Sequence, residues 1–316
     1  VLFRGGEEGT IRKNLIDHNN IDAIIGLPAN IFFGTGIPTI IMVLRKNKKD
    51  SDVLIIDASK GFEKDGKNKK LRACDIKRIV DAYKERPEKI EKFARRVSRA
   101  EIIQNDYNLN IPRYVDSSEK AESWDIYASM FGGIPEAELQ DLSAYWTAFP
   151  HLKAALFSPD NEAYCRLNVA NLKNAVLSHP DVVAFKTAFQ NAFGDFDAYL
   201  KSALIDGMTQ LNAAGEEERL SREIFARLAG IPLVDRYAAY QLLDDDWKKI
   251  AIDLEIIQTE GFAATKQVDP NMVLKKDAEV QDGWVGHVLP FELVQSVKMH
   301  EEVAALRAKE TRFAEI

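Results

Sequence analysis

Between Ile21 and Arg45 lie two short apolar runs, Ala23-Ile24-Ile25 and Thr39 to Leu44, joined by a loop holding Pro28, Asn30, Gly34, Gly36 and Pro38. Nearly unbroken, β-branched runs of this length suit strands covered on both faces, whereas a half-exposed strand would alternate. A third run, Val53 to Asp57, follows the charged turn Lys46 to Asp52. Ahead of them, Glu7 to Ile16 sets Ile11, Leu15 and Ile16 on one helical face. Its acidic residues stand at the N-terminal end, where the helix dipole favours them. Three buried strands and one helix cannot cover both faces of a sheet. The segment therefore reads as the closing part of a larger α/β sheet that begins upstream of Val1. The alternative is a small three-stranded α/β domain covered by the later helices.

Several blocks here also carry a resemblance. Val1 to Arg12, Ile24-Ile-Gly-Leu-Pro-Ala-Asn-Ile-Phe32, Thr35-Gly-Ile-Pro-Thr39, Val53-Leu-Ile-Ile-Asp-Ala-Ser59 and Asn105 to Tyr114 follow one another in a single order. In that order they resemble the modification subunit of type I restriction-modification enzymes, well over residues 1–116 and weakly beyond. The resemblance implies a family that methylates adenine N6 in duplex DNA with S-adenosylmethionine. Two such subunits assemble with one specificity subunit that reads the DNA, and the restriction subunit joins the full complex. Separately, two cysteines far apart without a partner pattern read as free thiols in a reducing cytosol, and the expected location is cytoplasmic.

One departure from the family pattern matters most. Such methyltransferases hold the methyl donor with a glycine-rich loop after their first strand and the flipped adenine with an Asn-Pro-Pro-Phe-type motif after their fourth. Neither is found here, and proline pairs are absent altogether. Gly34-Thr-Gly36 lacks the third glycine and opens no helix, so it is not a dinucleotide fingerprint. The expectation is a C-terminal piece of a modification subunit, with no catalytic or donor-binding residues of its own and unable to methylate alone. Its fold would be the α/β remnant of a Rossmann-like methyltransferase sheet (residues 1–116), a mainly α-helical domain (117–286) and a coiled-coil-like C-terminal helix for partner docking (287–316).

Charge divides the same way. Residues 1–116 hold 23 Lys+Arg against 17 Asp+Glu, and the remaining 200 hold 19 against 32. A basic front and an acidic rear fit a protein whose first part faces phosphate and whose second faces protein or solvent. Arg45, Lys46 and Lys48 in one cluster, and Lys67, Lys69 and Lys70 in another, are the candidate phosphate contacts; solvated loops kept soluble by lysine are the plainer account of either. No aromatic residue interleaves with them, which argues against single-strand stacking. In the parent fold the loop with Asn30, Phe32, Phe33 and Thr35 would sit near the extruded base, where an aromatic ring can stack on it. Alternatively, Phe32 and Phe33 cap the core while the prolines and glycines shape the turn.

The rest is read mostly as helix. Asp75 to Tyr83 places Ile76, Ile79, Val80 and Tyr83 on one stripe, Lys89 to Val97 is again amphipathic, and Ser98 can cap the next turn. Ser117 to Ser123 is a polar linker. Helical patterns follow from Ile134 onward, with Tyr145, Trp146, Phe149, Leu152, Leu156 and Phe157 as a bulky core stripe and Pro135 at a first turn. Val234 to Leu243 and Trp247 to Ile257 read as two helices separated by Asp244-Asp-Asp246, and Glu216-Glu-Glu218 as helix-start charge. Ile256 to Gly286 is irregular. A last helix from Pro290 to Ile316 carries Phe291, Met299, Val303, Leu306 and Phe313 as docking candidates. Cys74 and Cys165 are spaced as free thiols, and the five histidines show no metal-ligand spacing. No run approaches the roughly 20 apolar residues of a membrane span. The competing function is a helical interaction adaptor without catalysis. The expected open sheet edge near Ile24 or Ile41 should pair with another chain, a second copy included, or lie under a helix.

Overall fold

The computed structural model describes residues 2–118, 124–275 and 278–314. They form two compact units, residues 1–183 with 232–242 and residues 184–231 with 243–316. Most of the polar linker, 119–123, and the last two residues of the C-terminal helix pattern lie outside the described residues.

The first unit opens with α1 (Gly6–Asp17) and a five-stranded mixed sheet in the order β2-β1-β3-β7-β6. Its members are β1 (Ile21–Gly26), β2 (Ile40–Leu44), β3 (Val53–Asp57), β6 (Lys89–Ile90) and β7 (Ala94–Val97). A small hairpin, β4 (Glu63–Asp65) and β5 (Asn68–Lys70), stands apart from it. β1 and β3 run parallel, from Ala23 opposite Leu54 to Gly26 opposite Asp57, and the other neighbours pair antiparallel. Side chains alternate between faces along a strand. Thus Ile24 and Ile55 enter one apolar layer with Ile16, Ile102, Leu109 and Ile111, while Ala23, Ile25, Leu54 and Ile56 enter another with Ile79, Ala82 and Phe93.

Both faces are therefore closed, by α1, α3 (Arg99–Gln104) and the 3-10 turn Ile111–Arg113 on one side and α2 (Ala73–Glu85) on the other. What stays open is an edge. β2 pairs with β1 alone, so its Ile41 and Leu44 are 47% and 56% exposed, against the expectation of a doubly covered strand. Ile24 lies on β1 between two neighbours and belongs to no edge. Ile11 also departs from its expected face and points to solvent, leaving Ile16 and the buried Arg12 to anchor α1.

Helix starts behave as their residues dictate. Ser98 Oγ accepts from the Glu101 N–H (3.2 Å) to open α3, and Asp75 reaches back to the Arg72 N–H (3.0 Å) to open α2. Lys89 to Val97, by contrast, is a hairpin and not a helix: Ala94 and Val97 are buried in ladder with β3 and Lys92 turns at φ 56°. Over so few residues the two periods cannot be separated.

The unit continues with α4 (Ile126–Phe131), α5 (Glu136–Asp141), α6 (Ser143–Ala148), α7 (Leu152–Leu156) and α8 (Leu172–Ser178). A second sheet, in the order β8-β10-β9, lies among them: β8 (Ile134–Pro135), β9 (Phe157–Pro159) and β10 (Tyr164–Leu167). Of the bulky stripe, Phe149, Leu152 and Leu156 are buried and Tyr145 is not.

The second unit holds residues from α9 (Pro180–Ala192), then α10 (Phe196–Leu200), α11 (Ala213–Leu228) and α12 (Arg236–Glu260) from Leu243 onward. Its core gathers Leu211, Leu220, Trp247 and Leu254. α12 is one helix where two were expected. Asp244 is not in a turn but buried mid-helix, where Lys248 one turn on neutralises it, and Asp246 pairs with Lys249 at 2.7 Å. Glu216 does sit in the first turn of α11. The segment expected to be irregular contains a two-stranded ribbon, β11 (Val268–Lys275) and β12 (Ala278–Gly286). The final helix is broken at Met299 into α13 (Phe291–Lys298) and α14 (His300–Ala314). Among the described residues, no helix is long and apolar enough to cross a membrane.

Candidate functional site

Parallel strands end together, and the space beyond their carboxyl ends is where α/β sheets bind ligands. Gly26 and Asp57 are the paired last residues of β1 and β3. Beyond them opens a cleft of about 720 Å³, walled by Leu2, Phe3, Leu27, Ile37, Ile111 and Pro112. Its floor is tight: a Cβ on Gly26 would lie 2.6 Å from Ile111 Cδ1, so a larger residue there would have to displace the Ile111 side chain. The rim loop is pinned at its base by the Leu27 N–H donating to the Thr39 carbonyl (2.9 Å).

Polar groups in the cleft are few. Asp57 accepts from the Ser59 N–H (3.0 Å) and from Ser117 Oγ (2.5 Å), which fixes its carboxylate. Ser59 and Asn110 line the wall, and the buried Thr39 Oγ1 has no hydrogen-bond partner among the described residues. A mostly apolar cleft with a few fixed polar groups suits recognition of a small, partly apolar group. Both cysteines are buried free thiols elsewhere. Burial pushes the Cys74 thiol up, and a bond to Glu136 (3.2 Å) does the same for Cys165, so neither is held as a thiolate.

The residues singled out in the sequence are distributed unevenly around this cleft. Asn30 sits in the rim loop in the left-handed region (φ 59°), its carbonyl accepting the Lys69 N–H at 2.9 Å. That bond brings the β4–β5 hairpin, with Lys67, Lys69 and Lys70, beside the loop. Lys69 Nζ rests 3.7 Å from the Phe62 ring centre and Lys70 pairs with Glu63 at 3.0 Å. Thr35 Oγ1 accepts from the Ile37 N–H (3.3 Å) and so shapes the turn. Phe32 and Phe33 do not cap the core; they are 55% and 95% exposed.

The other basic cluster is at the opposite end of the sheet. β2 runs antiparallel to β1, with Ile40 opposite Gly26 and Leu44 opposite Ile21. Arg45 and Lys46 therefore lie about 17 Å away, one strand length. Lys48 is not a surface cation. Its side chain is 1% exposed, and its Nζ donates to the carbonyls of Ile21 (2.9 Å) and Asp52 (2.5 Å). Burial holds its pKa below the ordinary lysine value. Replacing Lys48 with methionine removes its ammonium from both carbonyls, leaving the Asp52 carbonyl to the Arg86 Nη2 donor at 3.2 Å, and should cost about 1–3 kcal/mol in urea unfolding; an unchanged midpoint would refute the structural role.

Neither Asp57 with Ser59 nor Leu2 with Phe3 stands out in the sequence as cleft lining. The position at the end of a buried strand is a usable signal for Asp57; nothing in the sequence marks Leu2. In the second unit, Phe291, Met299, Leu306 and Phe313 are exposed on α13 and α14 or between them, and Val303 is half-buried.

Residues 1–123 match the family model described as N-6 DNA Methylase. The chain is similar to the MpnII methylase subunit of a type I restriction enzyme from Mycoplasma pneumoniae, 41% identical over 127 residues, covering 40% of this chain and 23% of that protein. It is similar also to the MjaVII methylase subunit of a type I restriction enzyme from Methanocaldococcus jannaschii, 43% identical over 132 residues with coverages of 40% and 23%. A solved type I restriction-modification methyltransferase subunit from Streptococcus thermophilus is 54% identical, covering 37% of this chain and 25% of that one, with a TM-score of 0.36. The chain thus spans about a quarter of the length of the relatives it matches. The expected likeness to type I modification subunits is borne out over this region.

Proposed function

We propose that this chain, whose first 123 residues carry type I methylase-subunit sequence, works as part of a modification subunit that transfers a methyl group from S-adenosylmethionine to adenine N6 in duplex DNA. The observation that carries this is the N-6 DNA Methylase match over residues 1–123, which contain the mixed sheet, together with sequence similarity to two type I methylase subunits. On this reading the sheet is a Rossmann-like remnant, residues 117–286 are the helical domain and 287–316 the docking segment. The 316-residue polypeptide alone does not methylate, because the glycine-rich donor loop and the Asn-Pro-Pro-Phe-type motif are not in its sequence. Its own contributions are DNA contact and assembly in the cytoplasm with a specificity subunit, a second modification subunit and the restriction subunit. The β2 edge is where a further strand would add, from another copy or another chain.

The test is to purify the 316-residue chain alone and with the specificity subunit, and to measure partner capture, methyl-donor binding by calorimetry and adenine methylation. Capture without donor binding or methylation is the expected result. Donor binding or methylation by the lone chain would overturn the assignment of its role.

DNA contact carries its own prediction. The Lys64 to Lys70 hairpin stands beside the cleft and the Arg45 end does not, so reversing Lys64 and Lys67 to glutamate should weaken duplex binding more than Lys46→Glu. The slope of log K against log salt should shrink by about 0.9 for each phosphate that is no longer neutralised. Equal effects from the two ends would refute this placement.

A further inference from the structure

The ribbon β11–β12 is joined to the rest of the second unit at its base, and the joint is built around one imidazole. His287 follows the last residue of β12, and its N–H donates to the Gln267 carbonyl at 3.0 Å. Its Nδ1 lies 2.6 Å from Asp269 Oδ2 on β11, and its Nε2 lies 3.4 Å from Glu260 Oε1 at the end of α12. The ring is largely enclosed, with a side-chain exposure of 19%. The next residue, Val288, is buried against Ile257 of α12 and Ala264 of the intervening 3-10 turn. That turn, Phe262–Lys266, ends in the charged Lys266, while Glu260 and Asp269 are the carboxylates that meet the ring.

A neutral imidazole carries one N–H donor and one bare nitrogen; only imidazolium donates from both. With a carboxylate at each nitrogen, the neutral ring must turn a lone pair toward one anion. The charged ring satisfies both. We propose that His287 is a proton-operated latch that fastens the base of the β11–β12 ribbon to the end of α12. On deprotonation the shorter bond, to Asp269 within the ribbon, persists and the longer one, to Glu260 across the joint, is lost. An isolated two-stranded ribbon is marginally stable in water, so loosening its anchorage loosens the ribbon.

Bonding to Asp269, supported by Glu260, raises the His287 pKa above its ordinary 6.5. A raised folded-state value means that the latch's contribution is fully present below about pH 6.5 and is lost as pH rises through the folded-state pKa.

The test uses the whole chain. Histidine side-chain resonances are titrated by NMR, with His287 assigned by its absence in His287→Gln, and amide-exchange protection of residues 268–275 and 278–286 is followed from pH 5.5 to 8.5. Wild type should show His287 titrating above 6.5 and ribbon protection falling roughly fivefold or more across that titration, as expected for one charge-assisted hydrogen bond. His287→Gln should lack the step, and Glu260→Gln should lower both the histidine pKa and the size of the step while leaving the fold intact. A His287 pKa at or below 6.5, or an equal step in Glu260→Gln, would overturn the latch.

Discussion

Asp22→Ala will destabilise the first unit by about 3–5 kcal/mol, the usual result of stripping one partner from a buried ion pair. Asp22 is fully buried on β1. It accepts from Tyr83 Oη at 2.6 Å and from Arg86 Nη1 at 2.9 Å, and Arg45 approaches to 3.9 Å. Tyr83 and Arg86 come from the end of α2, where Arg86 turns left-handed at φ 47°. Arg86 Nη2 also donates to the Asp52 carbonyl at 3.2 Å. Removing the carboxylate leaves a guanidinium 20% exposed with its main acceptor gone. Asp22→Asn should cost less, since the amide oxygen still accepts. Urea unfolding of the two variants checks this, and an alanine variant within 1 kcal/mol of wild type would refute it.

The second large effect is on assembly. On the proposed function, Leu306→Asp on α14 should reduce capture of the specificity subunit about 30-fold or more, the scale of a hot-spot residue. Leu306 is 56% exposed in the chain alone, so the substitution leaves the stability of the free chain nearly unchanged. Phe313→Ala, near the end of the same helix, should weaken capture less if the centre of the stripe carries the contact. Isothermal titration against the purified subunit, with thermal unfolding as the control, separates docking from folding. Undiminished capture by Leu306→Asp would remove the docking role from this helix.

The central strands were legible because burial on both faces leaves an unbroken apolar signature: Ala23 to Ile25 and Val53 to Ile56 sit where their sequence places them. β2 shared that signature yet lies at an edge, since composition records apolarity and not the number of neighbours. Lys89 to Val97 failed for the opposite reason, a strand too short to show its period. The Asp244-Asp-Asp246 run looks like a turn unless it is weighed with Lys248, which neutralises Asp244 one helical turn later. The cleft was only partly readable. Its rim loop announced itself through Pro, Gly and Asn, but its far wall comes from Leu2, Asn110 and Ile111, which only the folded chain brings together. Lys48 shows the same limit, a lysine in a basic cluster whose ammonium is spent on two carbonyls.

The order of strands also governs how the chain refolds. β1 must bond to β3 across 26 intervening residues, with β2 added on its other flank, and β3 must then await β7. Such non-local closures are slow compared with the local turns of α11 and α12. After dilution from denaturant, helical ellipticity should therefore return in an early phase, and the sheet should follow in a later one.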